Sequence, residues 1–290
     1  MTAQIIDGKK LAETIKAEIK TAIMEREKQH LPIPGLATVL VGNNPASRSY
    51  VESKIKTTSA LRIRSFSYEL DENCPQEELE ALINELNQNP DVQGILVQLP
   101  LPDHLPEDKI LHIISPYKDV DGLHPYNAGL LSRKYSEPLF YPCTPSGIIH
   151  MIRSICPDIS GMKAAVIGRS SIVGMPTAMM LNRYNATPTI CHSYTKNIDE
   201  ICRESDIIVA AAGSPSLVRG EWIKPGAIVI DVGINHIADE TSPRGYRVVG
   251  DVAFEEAVKR AGAISPVPGG VGPMTIAMLM ENTLKAIEYR

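Results

Sequence analysis

From its N-terminus the chain alternates two hydrophobic rhythms. After Asp7, which suits a helix N-cap, Leu11, Ile15, Ile19, Ala22 and Ile23 recur at helical spacing, and the unbroken apolar run LATVLV (36–41) reads as a buried strand. Pro45 fits the first turn of a second helix that runs to about Leu61. Phe66, Tyr68 and Leu70 then alternate as in a strand, Pro75 opens a helix through Leu79, Leu82, Ile83 and Leu86, and GILVQ (94–98) is strand-like again. Strands separated by helices in this way predict a parallel sheet.

From Ser115 to Cys143 the rhythm lapses into a stretch rich in Pro, Gly, Asn and Tyr, too long for an ordinary connection and so either a functional loop or a domain junction. Thr144 and Pro145 carry the cap and first-turn chemistry of a new helix. A second series follows: AAVIG (164–168), a helix from about Val173, TPTIC (187–191), a helix near Ile198 to Glu204, DIIVA (206–210) and AIVIDVG (227–233). A last helix from Pro273 presents Ile276, Met280, Leu284 and Ile287 on one face and is placed back with the first series. The prediction is a two-domain α/β architecture with a cleft between the domains, residues 1–143 with 273–290 forming one domain and 144–272 the other, which 290 residues accommodate comfortably.

Composition narrows the function classes. With 43% apolar and 22% charged residues the chain is of the soluble globular kind, and a net charge of −5 argues against a basic surface that tracks nucleic-acid phosphates. The first twenty residues are charged throughout, unlike a signal peptide, and no segment reaches the roughly 20 apolar residues that span a bilayer, so a cytoplasmic protein without a membrane partner is expected. Cys74, Cys143, Cys156, Cys191 and Cys202 form no C-x-x-C pair; reduced, mostly buried thiols are expected, and no metal site.

Three constellations carry candidate chemistry. In AAVIGRSSIVGMP, Gly168 follows a strand and Gly174 opens a helix, the arrangement that brings backbone N–H groups and a helix N-terminus to a pyrophosphate, with Ser170 where the usual fingerprint has its middle glycine. After the next strand, where NAD-selective sites usually carry a carboxylate, this chain has Cys191, His192 and Ser193; with Arg169 nearby and the hydroxyls of Ser193 and Thr195, NADP is the expected cofactor. In the first series, Tyr50 and Lys54 share a helix face, Gln98 ends a buried strand, and Asp121 lies in KDVDGLHPYN, a loop whose carboxylate suits paired donors on a flat heterocycle. Taken singly, each also fits a bland structural role, and only the combination points to a site. The third is PVPGGVGPMT (266–275), stiffened by its prolines and opened by its glycines, with Pro268 and Gly272 as candidate ligand contacts.

At these residues the sequence resembles the bifunctional methylenetetrahydrofolate dehydrogenase/methenyltetrahydrofolate cyclohydrolase family. The matching stretches are VGNNPASRSYVESK, GILVQLPLP, DVDGLHPYN, PCTPSGI, GRSSIVGMP, DVGIN and PVPGGVGPMT, in family order over almost the whole chain. The resemblance implies a homodimer with an N-terminal folate-binding domain, a Rossmann-type NADP-binding domain and a C-terminal helix that rejoins the first. It implies oxidation of methylenetetrahydrofolate by NADP and hydrolysis of the methenyl product to formyltetrahydrofolate, in one-carbon metabolism and purine biosynthesis. By position, Lys54 is the catalytic lysine, Gln98 its partner, Tyr50 a residue packing on the folate and Asp121 the pterin anchor; Gly168, Arg169, Ser170, Ser193 and Ile234 are cofactor positions. The sequence departs from the family pattern in SKIKTTSALRIRS, where a glutamate near Ser59 and a glycine near Arg62 are usual. Three other readings compete. A short-chain alcohol dehydrogenase is excluded by chain order, since its Tyr-x-x-x-Lys pair follows the glycine turn within one domain. A shikimate-type NADP dehydrogenase lacks the GGVGPMT and ILVQLPLP signatures, and a non-catalytic folate or NADP binding protein would bind both ligands without turnover.

Overall fold

The computed structural model describes residues 2–239, 241–242 and 245–289. In chain order the elements are β1 (Gln4–Ile5), α1 (Gly8–Lys28), β2 (Gly35–Val41), α2 (Pro45–Ala60), β3 (Arg64–Leu70), α3 (Gln76–Gln88), β4 (Gly94–Val97), α4 (Glu107–Ile113), α5 (Pro125–Leu131) and α6 (Cys143–Ile155). They continue as β5 (Lys163–Ile167), α7 (Gly174–Arg183), β6 (Thr187–Cys191), α8 (Ile198–Glu204), β7 (Ile207–Ala210), β8 (Ile228–Asp231), β9 (Asn235–Ala238), β10 (Tyr246–Val249), α9 (Phe254–Ala257), β11 (Ala263–Ile264) and α10 (Val271–Lys285). They fall into two compact units, Glu13–Cys143 with Ile276–Arg290 and Met1–Ala12 with Thr144–Thr275.

The first unit is built on a parallel sheet of order β3-β2-β4. The central strand β2 is buried along its whole length, as its continuous apolar run demands, whereas β3 at the edge alternates between half-buried and exposed positions. One face of the sheet packs Val39, Ile95 and Val97 against Leu79, Ile83 and Leu86, the apolar stripe of α3. Fully burying each such side chain is worth about 1.5–3 kcal/mol, so this layer holds the carboxyl ends of β2 and β4 firmly in place. Those ends lie side by side, Val39 opposite Val97, and the chain leaves them toward α2 and Gln98.

The second unit carries a six-stranded sheet of order β1-β11-β8-β7-β5-β6, parallel at every pairing. Its strand order reverses between β5 and β7, so a crevice opens at their carboxyl ends, the usual ligand position in open α/β sheets. Two features are absent from the sequence-based expectation. Gln4–Ile5 pair with Ala263–Ile264 in this sheet, although no strand is predicted ahead of Asp7. β9 and β10 form a separate antiparallel pair. The last helix begins at Val271, ahead of Pro273, and its buried side reaches well beyond the predicted face: Met274, Ala277, Met278, Leu279, Asn282 and Thr283 are buried with Met280, while Ile276 and Leu284 are half-buried. Among the described residues no helix is long and apolar enough to cross a membrane.

Candidate active site

Lys54 sits in the third turn of α2, and its side chain is only 7% exposed. Its amine donates to Gln98 Oε1 at 2.9 Å, while Gln98 Nε2 donates to the Leu99 carbonyl at 2.6 Å. That second bond fixes the amide with its oxygen toward the lysine, because only Nε2 can serve the carbonyl. Burial pulls the Lys54 amine below the ordinary lysine range, and the nearby Asp121 carboxylate acts in the opposite direction. Tyr50, one turn before Lys54, is half-buried, and burial pushes its phenol upward.

Asp121 is delivered by a tight turn. The Gly122 N–H returns to the Asp119 carbonyl at 3.0 Å, and Gly122 has φ +72°, where a Cβ would come within 2.6 Å of Pro142 N. Below the turn lies a buried polar layer. Asp119 accepts from the backbone of Leu123 and His124 and from Asn127 Nδ2 at 3.1, 2.8 and 2.8 Å. Asn282 on α10 donates to the carbonyls of Val120 and Tyr141, and Cys143 Sγ donates to the Val120 carbonyl at 3.3 Å. Burial and the adjoining Asp121 raise the Cys143 thiol well above its usual value, so it is a neutral donor beside the lysine. Sequence reasoning brings Tyr50, Lys54, Gln98 and Asp121 together but passes over Asp119, Asn127, Cys143 and Asn282. Three of these lie in motifs already singled out, Cys143 in PCTPSGI and Asp119 and Asn127 in KDVDGLHPYN, yet nothing in the one-dimensional pattern shows which polar residues turn inward.

In the second unit Gly168 leaves β5 with φ +122°, and a Cβ there would stand 2.0 Å from the Ala211 carbonyl oxygen. A Cβ on Gly174 would stand 2.1 Å from the Gly168 carbonyl oxygen, so both glycines are demanded by close backbone approach. Ser170 has its own role in this turn: Oγ accepts from the N–H groups of Val173 and Gly174 at 3.2 and 3.3 Å and caps the start of α7, where Val173 offers no side-chain cap. Arg169, Ser170 and Ser193 are exposed, and Ile234 is 49% exposed. Thr195 differs from the expectation that it is a spare hydroxyl, because its Oγ1 accepts from His192 N at 2.8 Å and closes the turn after β6. Pro268 is exposed and Gly272 half-buried in the first turn of α10; the segment between them is tied to α1, with Lys9 N–H donating to the Gly269 carbonyl at 3.1 Å.

Comparison with known proteins agrees with this geometry. Residues 6–121 match the family model of the tetrahydrofolate dehydrogenase/cyclohydrolase catalytic domain, and residues 142–290 that of its NAD(P)-binding domain. The chain is 51% identical over 290 residues to the bifunctional protein FolD of Acetivibrio thermocellus, covering 100% of this chain and 99% of that one. It is 52% identical over 282 residues to the chloroplastic bifunctional protein FolD 4 of Arabidopsis thaliana, covering 97% of this chain and 78% of the relative. The crystal structure of the Trypanosoma brucei methylenetetrahydrofolate dehydrogenase-cyclohydrolase, complexed with NADP and an inhibitor, superposes with a TM-score of 0.96 at 43% identity, covering 100% of this chain and 98% of that one. Two glycine demands in the strand-to-helix turn of one unit, a buried amine held by an oriented amide in the other, and family models that match both units place this chain in the tetrahydrofolate dehydrogenase/cyclohydrolase family.

Proposed function

We propose that this chain oxidises methylenetetrahydrofolate with NADP and hydrolyses the methenyl product to formyltetrahydrofolate. The observation that carries the reading is the buried Lys54 amine, bonded to an oriented Gln98 amide with Asp121 close enough to act on its charge. The second unit fits the cofactor on its own evidence: Gly168 and Gly174 leave a cradle that a Cβ would fill, and the exit of β6 offers a 2′-phosphate no carboxylate. Gly168, Arg169, Ser170, Ser193 and Ile234 would hold NADP, which when bound supplies the hydride acceptor.

The chain's own residues supply position and proton traffic. Asp121 anchors the amino-bearing heterocycle by paired hydrogen bonds, and Tyr50 packs on it. Pro268 and Gly272 contribute further substrate contacts. During hydrolysis, water adds to the methenyl carbon with loss of a proton, and a C–N bond then breaks as its nitrogen gains one; neutral Lys54 takes the first proton and gives the second. Gln98 holds the amine in place through both steps. The reading extends to a cytoplasmic homodimer serving one-carbon metabolism and purine biosynthesis, as the family resemblance implies. Family membership favours neither a shikimate-type dehydrogenase nor a non-catalytic binding protein.

The test is one incubation with methylenetetrahydrofolate and NADP, followed for nicotinamide reduction and for loss of the methenyl chromophore. Both signals are expected in the wild type, and Lys54→Ala is expected to abolish methenyl hydrolysis. Absence of NADPH formation would refute the enzyme assignment, and near-normal hydrolysis by Lys54→Ala would remove that amine from the mechanism.

A further inference from the structure

At the carboxyl edge of the six-stranded sheet, β7 and β8 each run into a loop, and so does the chain after β10. Two carboxylates tie these loops together. Asp231, 2% exposed, accepts from the N–H groups of Gly233, Asp251 and Val252 at 3.0, 2.8 and 3.0 Å. Asp251, fully buried, accepts from the N–H groups of Ala212 and Gly213 at 2.6 and 2.8 Å and from Asn235 Nδ2 at 2.8 Å. The two carboxylates act in series, since the side chain of Asp231 holds the backbone of Asp251, whose own side chain holds Ala212, Gly213 and Asn235. Glycines leave the space: a Cβ on Gly250 would stand 1.8 Å from Asp231 Oδ2, and one on Gly233 2.3 Å from Asp251 Oδ1.

These donors are all neutral amides, so neither charge is matched by a cation through these contacts. Burying two adjacent carboxylates in this way is a poor route to stability compared with apolar packing. The desolvation is felt at Asp231, whose carboxyl burial pushes up to about 6, with the Asp251 charge adding to the rise. What the pair achieves is placement. The loop that Asp251 holds at Ala212 and Gly213 is the one whose Ala211 carbonyl abuts Gly168, and Ile234 lies between two clamped residues, Gly233 and Asn235.

We propose that Asp231 and Asp251 are positioning residues for the dinucleotide: they lock the loops after β7 and β8 onto the Gly168 turn, so that Ile234 and the neighbouring backbone meet the cofactor without further ordering. This rests on reading the second unit as the NADP site. Binding to loops already ordered avoids the entropic cost of fixing their residues when the cofactor binds.

The test measures NADPH binding directly, by fluorescence titration, beside methenyl hydrolysis, which consumes no nicotinamide and reports that the rest of the chain is intact. Asp251→Ala is expected to raise the Kd for NADPH about tenfold or more, with the KM for NADP rising in parallel. Methenyl hydrolysis is expected to stay within about twofold of wild type. In Asp251→Asn the new amide can accept from Ala212 and Gly213 and donate to an Asn235 amide turned over, so most of the affinity should return. Asn235→Ala, the milder change, should raise the Kd in the same direction and carries the test if Asp251→Ala does not fold. An NADPH Kd unchanged in Asn235→Ala and in whichever Asp251 variants fold, or binding and hydrolysis lost together in soluble protein, would overturn the proposal. Failure of the functional reading is a separate outcome, visible in the wild type as absent turnover.

Discussion

A lysine amine accepts a proton only while it is neutral, and in water it is neutral only near pH 10 and above. At Lys54 burial is the largest influence and lowers that threshold, while the charge of Asp121 raises it. The sign of a test follows. Methenyl hydrolysis should rise with pH along a limb that belongs to Lys54 and lies below the ordinary lysine value. Asp121→Asn removes an anion that favours the ammonium form, so the limb in kcat should move to lower pH, while KM for the folate rises because the anchor is lost. A limb that moves upward or stays in place would exclude Asp121 as an electrostatic partner of the amine. Arg169 supports a second residue-scale prediction. It is exposed at the glycine turn beside a β6 exit that carries no carboxylate. Arg169→Ala should therefore lower kcat/KM for NADP by about tenfold, the order of one charge-assisted hydrogen-bonded contact, while leaving NAD nearly unchanged. An unaltered ratio of the two efficiencies would assign NADP preference elsewhere.

At the scale of the element, the helix that carries Lys54 ends in an unusual way. Ile63 N–H donates to the Thr58 carbonyl at 3.1 Å and Arg62 N–H to the Ser59 carbonyl at 3.0 Å, the pairing of a Schellman C-cap, and Arg62 takes φ +64° at the position where glycine is preferred. The departure from the family pattern near Ser59 and Arg62 thus leaves the turn intact and changes its energy. Left-handed backbone costs a non-glycine residue about 1 kcal/mol, and the half-exposed ion pair of Arg62 with Glu27 returns up to about 1 kcal/mol. The two contributions separate in a Glu27→Ala background, where Arg62→Gly should stabilise the chain by about 1 kcal/mol in urea unfolding. Destabilisation there would mean that the arginine side chain has another role. Legibility from sequence follows the same physics. β2, β4, α3 and the glycine turn were readable because an apolar period or a backbone demand is local. Tyr50, Lys54, Gln98 and Asp121 were readable because each ends or rides on such an element. The pairing of Gln4–Ile5 with β11 was not, since two residues carry no period and their partner lies at the far end of the chain. The inward-facing layer of Asp119, Asn127, Cys143 and Asn282 was not readable either, because a polar residue in a loop or on a helix looks the same in sequence whether it faces solvent or a buried partner.

For the whole molecule, the pH dependence of stability divides between two kinds of acid. At the surface, Asp206 is held low by its hydrogen bond to Lys224 and Glu204 by its bond to Lys163; groups of this kind add stability above their unfolded pKa, which is lost as pH falls through the folded one. Buried acids run the other way. Burial raises Asp119, in the first unit, from 3.8 to about 7, and Asp231, in the second, from 3.8 to about 6. A group raised in the folded state stabilises it fully below the unfolded pKa, and that contribution disappears as pH rises through the folded value. The wild type should therefore lose stability between about pH 4 and about pH 7, although it gains from its surface acids near the lower end. Asp119→Asn removes one titration. Its stability relative to wild type should become more favourable on going from pH 4 to pH 8, by up to an order of 4 kcal/mol for a shift of this size, whatever constant offset the altered hydrogen bonds at Leu123, His124 and Asn127 impose. Urea unfolding of both proteins across this range reads the slope directly, and the offset cancels in it. Parallel curves would show that Asp119 titrates alike in the folded and unfolded chains; the donors around it would then fully offset its burial, and the Asp121 turn would rest on a carboxylate ionised at neutral pH.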